Sequence, residues 1–303
     1  MRNTYLVAIA VVLVAVAVVP AFAQTGRSMA MGDAVVGVAD DSAAWGQNPA
    51  GLPHVTAAET SVSPIPSHVS GTVDIGSDLD VLGLDYSARS PDAKYGWGAG
   101  YWTLEYSTSV QSATVGLEVT EWGAGFGSRF GEQGLSWGVA LNRSELTLSA
   151  SGSTTDAAAI STKFNIISGR RTSASTSFDE TLFDVGLMLR RTLPVNDLKV
   201  GLVARDVSDE VQTTYDMGVG VRLPLGLLIA ADMHDVTDEF DSSFHLGAEC
   251  PIPTLPALRV RAGSSDGDFC YGVGYSFGNV EVSLARQEAD VEDMTAATAE
   301  VVF

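Results

Sequence analysis

Cysteine is almost missing from this chain: Cys250 and Cys270 are the only two among 303 residues. Two thiols cannot staple a disulfide scaffold, and no C-x-x-C or H-E-x-x-H spacing exists to hold zinc. The four histidines, His54, His68, His234 and His245, are scattered, and no Ser/His/Asp or Cys/His set can be assembled from them. The reading is therefore a protein that is not an enzyme, with no cofactor and no metal. Positive charge is scarce too. Lys and Arg total 17 against 37 Asp and Glu, and the net charge of −20 excludes a nucleic-acid partner. Charged residues make up only 18% of the chain, which is little for an acidic soluble protein.

Long apolar runs are lacking everywhere but at the start. Arg2 precedes the apolar stretch Tyr5 to Val19, Pro20 breaks it, and Ala21-Phe22-Ala23 is an A-x-A cleavage site. The stretch is shorter than the ~20 residues of a spanning helix. Residues 1–23 thus read as a cleaved signal peptide for the Sec route, with Gln24 as the mature N-terminus. No cysteine follows the cleavage site, which excludes a lipoprotein. Later on, the most apolar segment, Val221 to Ala231, is interrupted by Arg222, Pro224 and Gly226. An exported chain with no spanning helix is either soluble or an outer-membrane β-barrel, the other structure that satisfies its backbone in lipid.

What the sequence does have is alternation. Tyr271, Val273, Tyr275 and Phe277 share one face opposite Gly272, Gly274 and Ser276. Phe183, Val185, Leu187 and Leu189 stand opposite Asp184, Gly186, Met188 and Arg190. About fourteen such segments follow residue 55: 56–66, 79–90, 95–108, 119–130, 135–148, 181–193, 197–206, 215–223, 225–234, 243–250, 257–263, 268–277, 279–287 and 294–303. An even number of strands suits a bacterial single-chain barrel. The connections alternate in length. Short ones at 90–94, 131–134, 194–197, 223–226, 250–256 and 277–279 are separated by longer or more polar ones at 67–78, 109–118, 149–180, 206–214, 235–242, 264–268 and 288–293. Short periplasmic turns with longer outer loops are the asymmetry of an outer-membrane barrel.

The two faces differ as such a barrel requires. One carries aliphatic residues and Trp97, Tyr101, Trp122, Phe126 and Trp137, fit for lipid and its interfaces. The other mixes both charges, among them Asp184, Arg222, Glu249, Arg259 and Arg261, as in a polar lumen. Glycines at alternate positions, Gly96, Gly98 and Gly100, then Gly123, Gly125 and Gly127, suit tight curvature or close approach of something inside. The terminal Phe303, in line with Val301, Ala299 and Ala297, resembles the C-terminal strand signal read by the barrel assembly machinery.

The least generic segment is GRSMAMGDAVVGVADDSAAWGQNPAGLP, residues 26–53. Small residues dominate 30–44, Asp40-Asp41-Ser42 offers an N-cap for a short helix from Ser42, and Asn48-Pro49 then forces a turn. Such a segment can pack in a narrow lumen, with Asp33, Asp40 and Asp41 pairing with Arg222, Arg259 or Arg261. Residues 24–55 are expected to form a partly helical plug, and 56–303 the barrel. Through Met29, Met31, Gly32, Asp33, Ala34, Val38, Ala39, Asp40, Asp41, Ala43, Ala44, Asn48, Pro49, Ala50, Gly51 and Leu52, the segment resembles the mature N-terminus of the FadL/TodX fatty-acid transporter family and its PorV/PorQ-type relatives. The resemblance implies a plugged fourteen-stranded barrel in the outer membrane of a Gram-negative-type cell.

Two functions follow from it. The first is passive transport of a small hydrophobic ligand past a constriction formed by Asp40, Asp41, Trp45, Asn48, Pro49, Ala50 and Gly51. The alternative is a PorV-like scaffold or shuttle in protein secretion. A general porin is disfavoured by the plug. Uptake implies an apolar pocket near the outer rim, whereas scaffolding implies an exposed apolar patch on the outer loops. The acidic loop Asp232 to Asp241 lacks calcium-site spacing and reads as solvated. The expected topology puts Cys250 and Cys270 at opposite rims, ~20 Å apart, too far for a disulfide.

Overall fold

The computed structural model describes residues 25–55, 66–74, 79–110, 113–131, 134–152, 173–194, 196–208, 212–239, 242–288 and 293–302. Among the described residues, fourteen antiparallel strands run in sequence order around the molecule, and β14 pairs back onto β1 to close the barrel. The strands are β1 (Pro66–Asp74), β2 (Leu79–Arg89), β3 (Tyr95–Val110), β4 (Ala113–Phe130), β5 (Leu135–Gly152), β6 (Ser173–Thr192) and β7 (Asp197–Arg205). They continue with β8 (Thr214–Arg222), β9 (Leu228–His234), β10 (Ser243–Ile252), β11 (Leu255–Ser265), β12 (Asp268–Phe277), β13 (Val280–Glu288) and β14 (Met294–Val302). The closing seam sets His68 opposite Val302 and Asp74 opposite Ala296. Closure removes the last row of unpaired backbone groups, which an open sheet would leave facing lipid.

Side chains are distributed inside out relative to a soluble protein. Leu84, Trp122, Phe126, Leu141, Phe244, Tyr275 and Leu284 are exposed on the outer face, while Asp85, Asn142, Asp184, Lys199, Glu249 and Arg261 are buried inside. This is the partition that a barrel in lipid requires. On the outer face near the turns after β2 and β4, aromatics form a girdle: Tyr95 stacks on Trp97 and Phe126, and Trp137 meets Phe126 and Phe130. Amphipathic rings of this kind anchor a barrel at the headgroup level.

Several sequence boundaries need correction. The first described strand, β1 at Pro66–Asp74, runs through most of the expected loop 67–78; the expected strand 56–66, but for Pro66, the signal peptide and Phe303 lie outside the described residues. The length alternation holds only in part. β3 runs to Val110 and β4 starts at Ala113, so the expected long loop 109–118 is a two-residue link. The connection after β1 spans only 75–78, and that after β11 is a tight turn at Asp266 and Gly267, both with positive φ. The reason is physical. Where β3 to β6, 16–20 residues long, exceed the ~9–11 residues needed to span lipid, nothing requires an apolar outer face, and small polar residues such as Ser107, Thr108 and Ser109 read as a loop. All six short connections lie at the other end, the short-turn end.

The cysteines are both free, but they do not sit at opposite rims. Cys250 pairs with Val260 and Cys270 with Gly263, three residues apart on the intervening β11. Two strand spacings and three rungs separate them by only ~14 Å. What keeps them apart is facing as well as distance: Cys270 is buried inside, while Cys250 alternates with the inward Glu249 and belongs to the outer face.

Residues 25–55 lie inside the barrel. They form α1 (Gly26–Ala30), α2 (Ala44–Gln47) and a 3₁₀ segment, Pro49–His54. Thr25 caps α1 through a reciprocal pair of bonds with Ser28. The helix expected from Ser42 begins at Ala44, and its N-cap Ala43 makes no side-chain bond; the Asp41 carboxylate instead accepts from the Ala43 N–H at 3.1 Å. Asn48 ends α2 and starts the 3₁₀ segment, its Oδ1 accepting from the Ala50 N–H at 3.1 Å.

Candidate functional site in the barrel lumen

The N-terminal segment meets the wall where the wall is bare. Inward glycines on nine strands touch it so closely that a Cβ would collide with its backbone or side chains. A Cβ on Gly96 would lie 2.4 Å from the Leu52 carbonyl oxygen, on Gly127 2.4 Å from that of Pro49, and on Gly201 2.1 Å from that of Val36. Gly138 faces Pro49 and Gly263 faces Met31 in the same way. Gly51 lets the segment pack on itself, since its Cβ would fall 2.0 Å from the Ala39 carbonyl oxygen.

Ion pairs fasten the segment across the lumen. Arg27 reaches Asp40 at 2.7 Å, Asp41 at 3.3 Å and Glu249 of β10 at 3.1 Å. Lys199 of β7 holds Asp40 at 2.6 Å and reaches the Val38 carbonyl at 3.4 Å. Glu249 also pairs with Arg261 at 2.9 Å, and Arg261 with Glu281 at 2.5 Å. Burial opposes the charge on Asp40, but Lys199 and Arg27 overcome it and hold its carboxyl far below the ordinary range. Burial likewise opposes the charge on Arg27, and Glu249, Asp40 and Asp41 reverse that effect and raise its pKa. Both therefore stay ionised, as paired buried charges must.

A second network holds the end of α2. Arg205 of β7 donates to the Gly46 carbonyl at 2.6 Å and the Gln47 carbonyl at 2.8 Å, and pairs with Asp184 at 3.2 Å and Asp216 at 2.9 Å. Asn142 donates to Asp184 at 3.0 Å. The indole N–H of the fully buried Trp45 donates to Asp85 at 2.8 Å, and that of Trp102 donates to the same oxygen at 3.2 Å. Asp232 accepts from the Val36 N–H at 2.6 Å, and Asn48 donates to the Val36 carbonyl at 3.0 Å. At the short-turn end Ser136 donates to the Ala50 carbonyl at 2.7 Å, so the His54 Nε2–H donates to Ser136 at 3.0 Å. Burial first, then Arg190 and Arg129, push the His54 pKa down to about 3.

The expected partners of the segment are thus only partly right. Asp40 and Asp41 pair with Arg27 and Lys199, not with Arg222, Arg259 or Arg261. Arg261 is linked to the segment through Glu249, which Arg27 also holds. Arg259 pairs with Glu281 and donates to Ser276 at 3.1 Å, and Arg222 donates to the Gly226 carbonyl at 3.4 Å near its own turn. Sequence reasoning gave no role to Arg27, although it is the only Lys or Arg between residues 24 and 55, set ahead of three aspartates. Nor did it bring together His234 and His245, whose rings lie 4.3 Å apart, with His245 Nδ1 donating to the Gly32 carbonyl at 2.8 Å. In the acidic loop, Asp235 and Asp238 take positive φ, and Asp235 is buried as a turn residue that accepts from Thr237 at 3.1 Å.

Beyond Trp102, toward the long-loop end, the lumen turns apolar. Leu104, Leu117 and Val119 are buried there as one cluster, with the inward-facing Leu146, Leu148 and Met294 packed against it.

This geometry has relatives among solved structures. The CymD monoaromatic hydrocarbon channel superposes with a TM-score of 0.58 at 14% identity, over 92% of this chain and 97% of that chain. The chain shares its fold. A TodX monoaromatic hydrocarbon channel, as a deltaS2 mutant, gives 0.54 at 13% identity over 92% and 97% of the two chains. A Pseudomonas aeruginosa FadL homologue gives 0.53 at 9% identity over 92% and 98%. No protein-family model matches the sequence, and no curated protein matches it.

Proposed function

We propose that this protein is an outer-membrane channel for passive entry of a small hydrophobic molecule, with residues 25–55 as the plug and Asn48, Pro49 and Ala50 at its constriction. The observation that carries this reading is the inward apolar cluster of Leu104, Leu117 and Val119 with Leu146, Leu148 and Met294. Inward positions of a water-filled barrel are polar, so apolar side chains there favour a ligand that is itself apolar. The cluster lies beyond the plug on the long-loop side, where a molecule arriving from outside would be held before passage. The fold shared with hydrocarbon channels supports the same conclusion. A lumen filled by its own N-terminal segment does not suit a general porin, and no feature among the described residues favours a secretion scaffold.

The test is uptake of radiolabelled toluene by Gram-negative cells that lack their own channel for it. Expression of the protein should raise the uptake rate. Leu146→Asp, which places a charge in the apolar cluster, should return that rate toward background by on the order of 10-fold or more while the folded band still shifts on boiling. Equal uptake with and without the protein would overturn the proposal.

A further inference from the structure

Three successive strands that descend to the short turns each end on an inward arginine. Arg89 is the last residue of β2, Arg129 is next to last in β4, and Arg190 stands two residues before the end of β6. With Pro53 and His54 of the N-terminal segment they line an open cavity of about 470 Å³. Its walls include Ala93 and Gly134 of the turns after β2 and β4, which places it at the short-turn mouth of the lumen.

Two of the arginines are held by their backbones to a neighbouring turn. The Arg129 N–H donates to the Lys94 carbonyl at 2.7 Å, and the Arg190 N–H donates to the Gly134 carbonyl at 2.8 Å. Each is thus locked to the neighbouring turn, and its side chain is aimed from a fixed point. The charge around the cavity is one-sided. No Asp or Glu is among the described residues that line it, in a chain whose net charge is −20. Arg190 is paired with Asp197 at 2.8 Å, outside that lining. The Nε–H of Arg129 is buried with no hydrogen-bond partner. A shielded, unsatisfied guanidinium donor is costly, unlike a solvated arginine at a rim. Like charges are also costly to gather where water is partly excluded, unless an anion joins them. Their field reaches the neighbouring imidazole: after burial, Arg190 and Arg129 are the next largest causes that keep His54 neutral.

We propose that this cavity is a binding site for a phosphate-type oxyanion. Guanidinium forks match phosphate oxygens in geometry, and a group with several charged oxygens can serve more than one arginine at once. The oxyanion can come from free phosphate below the barrel or from the headgroup of a phospholipid in the adjoining leaflet. The site does not depend on the uptake reading, since it requires only the mouth and its arginines.

Arginine-specific modification by phenylglyoxal, read by mass spectrometry on the folded full-length mature protein in neutral detergent, tests this. Inorganic phosphate should protect Arg129 and Arg190 saturably, compared with chloride at equal ionic strength. Arg129→Gln should weaken phosphate binding measured by calorimetry by on the order of 10-fold. If phosphate is inert but phosphatidylglycerol added to the micelles protects the same two residues, the oxyanion site stands and its source is the lipid. If neither protects them, or all arginines are protected alike, the proposal is overturned. Because protection is read on the unmodified sequence, the result does not depend on the variant folding.

Discussion

Replacing Arg27 with Met should release the N-terminal segment from the wall without unfolding the barrel. Arg27 touches both Asp40 and Asp41 of its own segment and Glu249 of the wall, at 2.7, 3.3 and 3.1 Å. Removing one partner from a buried ion pair costs ~3–5 kcal/mol, because the charge left behind is uncompensated. Here each acid keeps another partner: Asp40 has Lys199 at 2.6 Å, Glu249 has Arg261 at 2.9 Å, and Asp41 has the Ala43 N–H at 3.1 Å. That places the cost at the low end, about 3 kcal/mol, or roughly 100-fold more undocked segment. Hydrogen exchange over residues 26–54 should accelerate by about that factor while β4 and β5 keep their protection. Liposome swelling with a small sugar should rise above wild type, and deletion of residues 26–52 supplies the fully open reference. Adding Asp40→Asn to Arg27→Met should recover part of the loss, since it removes one stranded charge. Exchange within threefold of wild type would refute the reasoning, and so would equal loss of protection across the strands, which would mean that the segment holds the barrel together.

Two further perturbations separate steric from electrostatic docking. Gly201→Ala puts a methyl group 2.1 Å from the Val36 carbonyl oxygen, which is backbone, and 2.8 Å from the Asn48 side-chain Nδ2. Overpacking of this kind costs ~1–3 kcal/mol or more, so exchange near residues 35–50 should speed up while the heat-shifted band is retained. For His54 the sign follows from its depressed pKa, about 3 when docked against 6.5 for a free imidazole. Between those values the undocked segment binds the extra proton, so docking is firm above pH ~6.5 and weakens as the pH falls toward 3. His54→Gln should flatten that pH dependence of leakage; an unchanged slope would exclude His54 as its source.

The strands were legible wherever lipid imposes alternation. Phe183 to Arg190 and Tyr271 to Phe277 could be read residue by residue, because one face must be apolar and the other must not. The pattern failed at Ser107 to Leu117, where β3 and β4 continue past the membrane and Ser, Thr and Gly suit either face equally. The contacts within the lumen were harder to see. Which arginine meets Asp40 depends on how a 31-residue segment (25–55) turns inside the barrel, and composition gives no rule for that. The polar ring of Asp184, Glu249, Arg259 and Arg261 was visible as a face, but the pairings within it follow from strand register.

The glycines bind these observations into one argument. A glycine inside a strand weakens it by ~0.5–1 kcal/mol relative to alanine, through lost chain entropy and lost packing. Nine strands of this barrel carry one or more at inward positions against the N-terminal segment, a total liability that no turn or bulge explains. Each of these positions is occupied from inside, so the space that a Cβ would have filled is taken by the segment instead, from Ala30 and Met31 through Val36 and Trp45 to Pro49 and Leu52. A wall selected to stand alone would have kept its alanines and valines there. A wall shaped around a backbone that lies directly on it has to give them up, so the barrel and residues 25–55 specify each other. Displacing this segment must then lift it off a row of glycines and out of its ion pairs with Lys199 and Glu249.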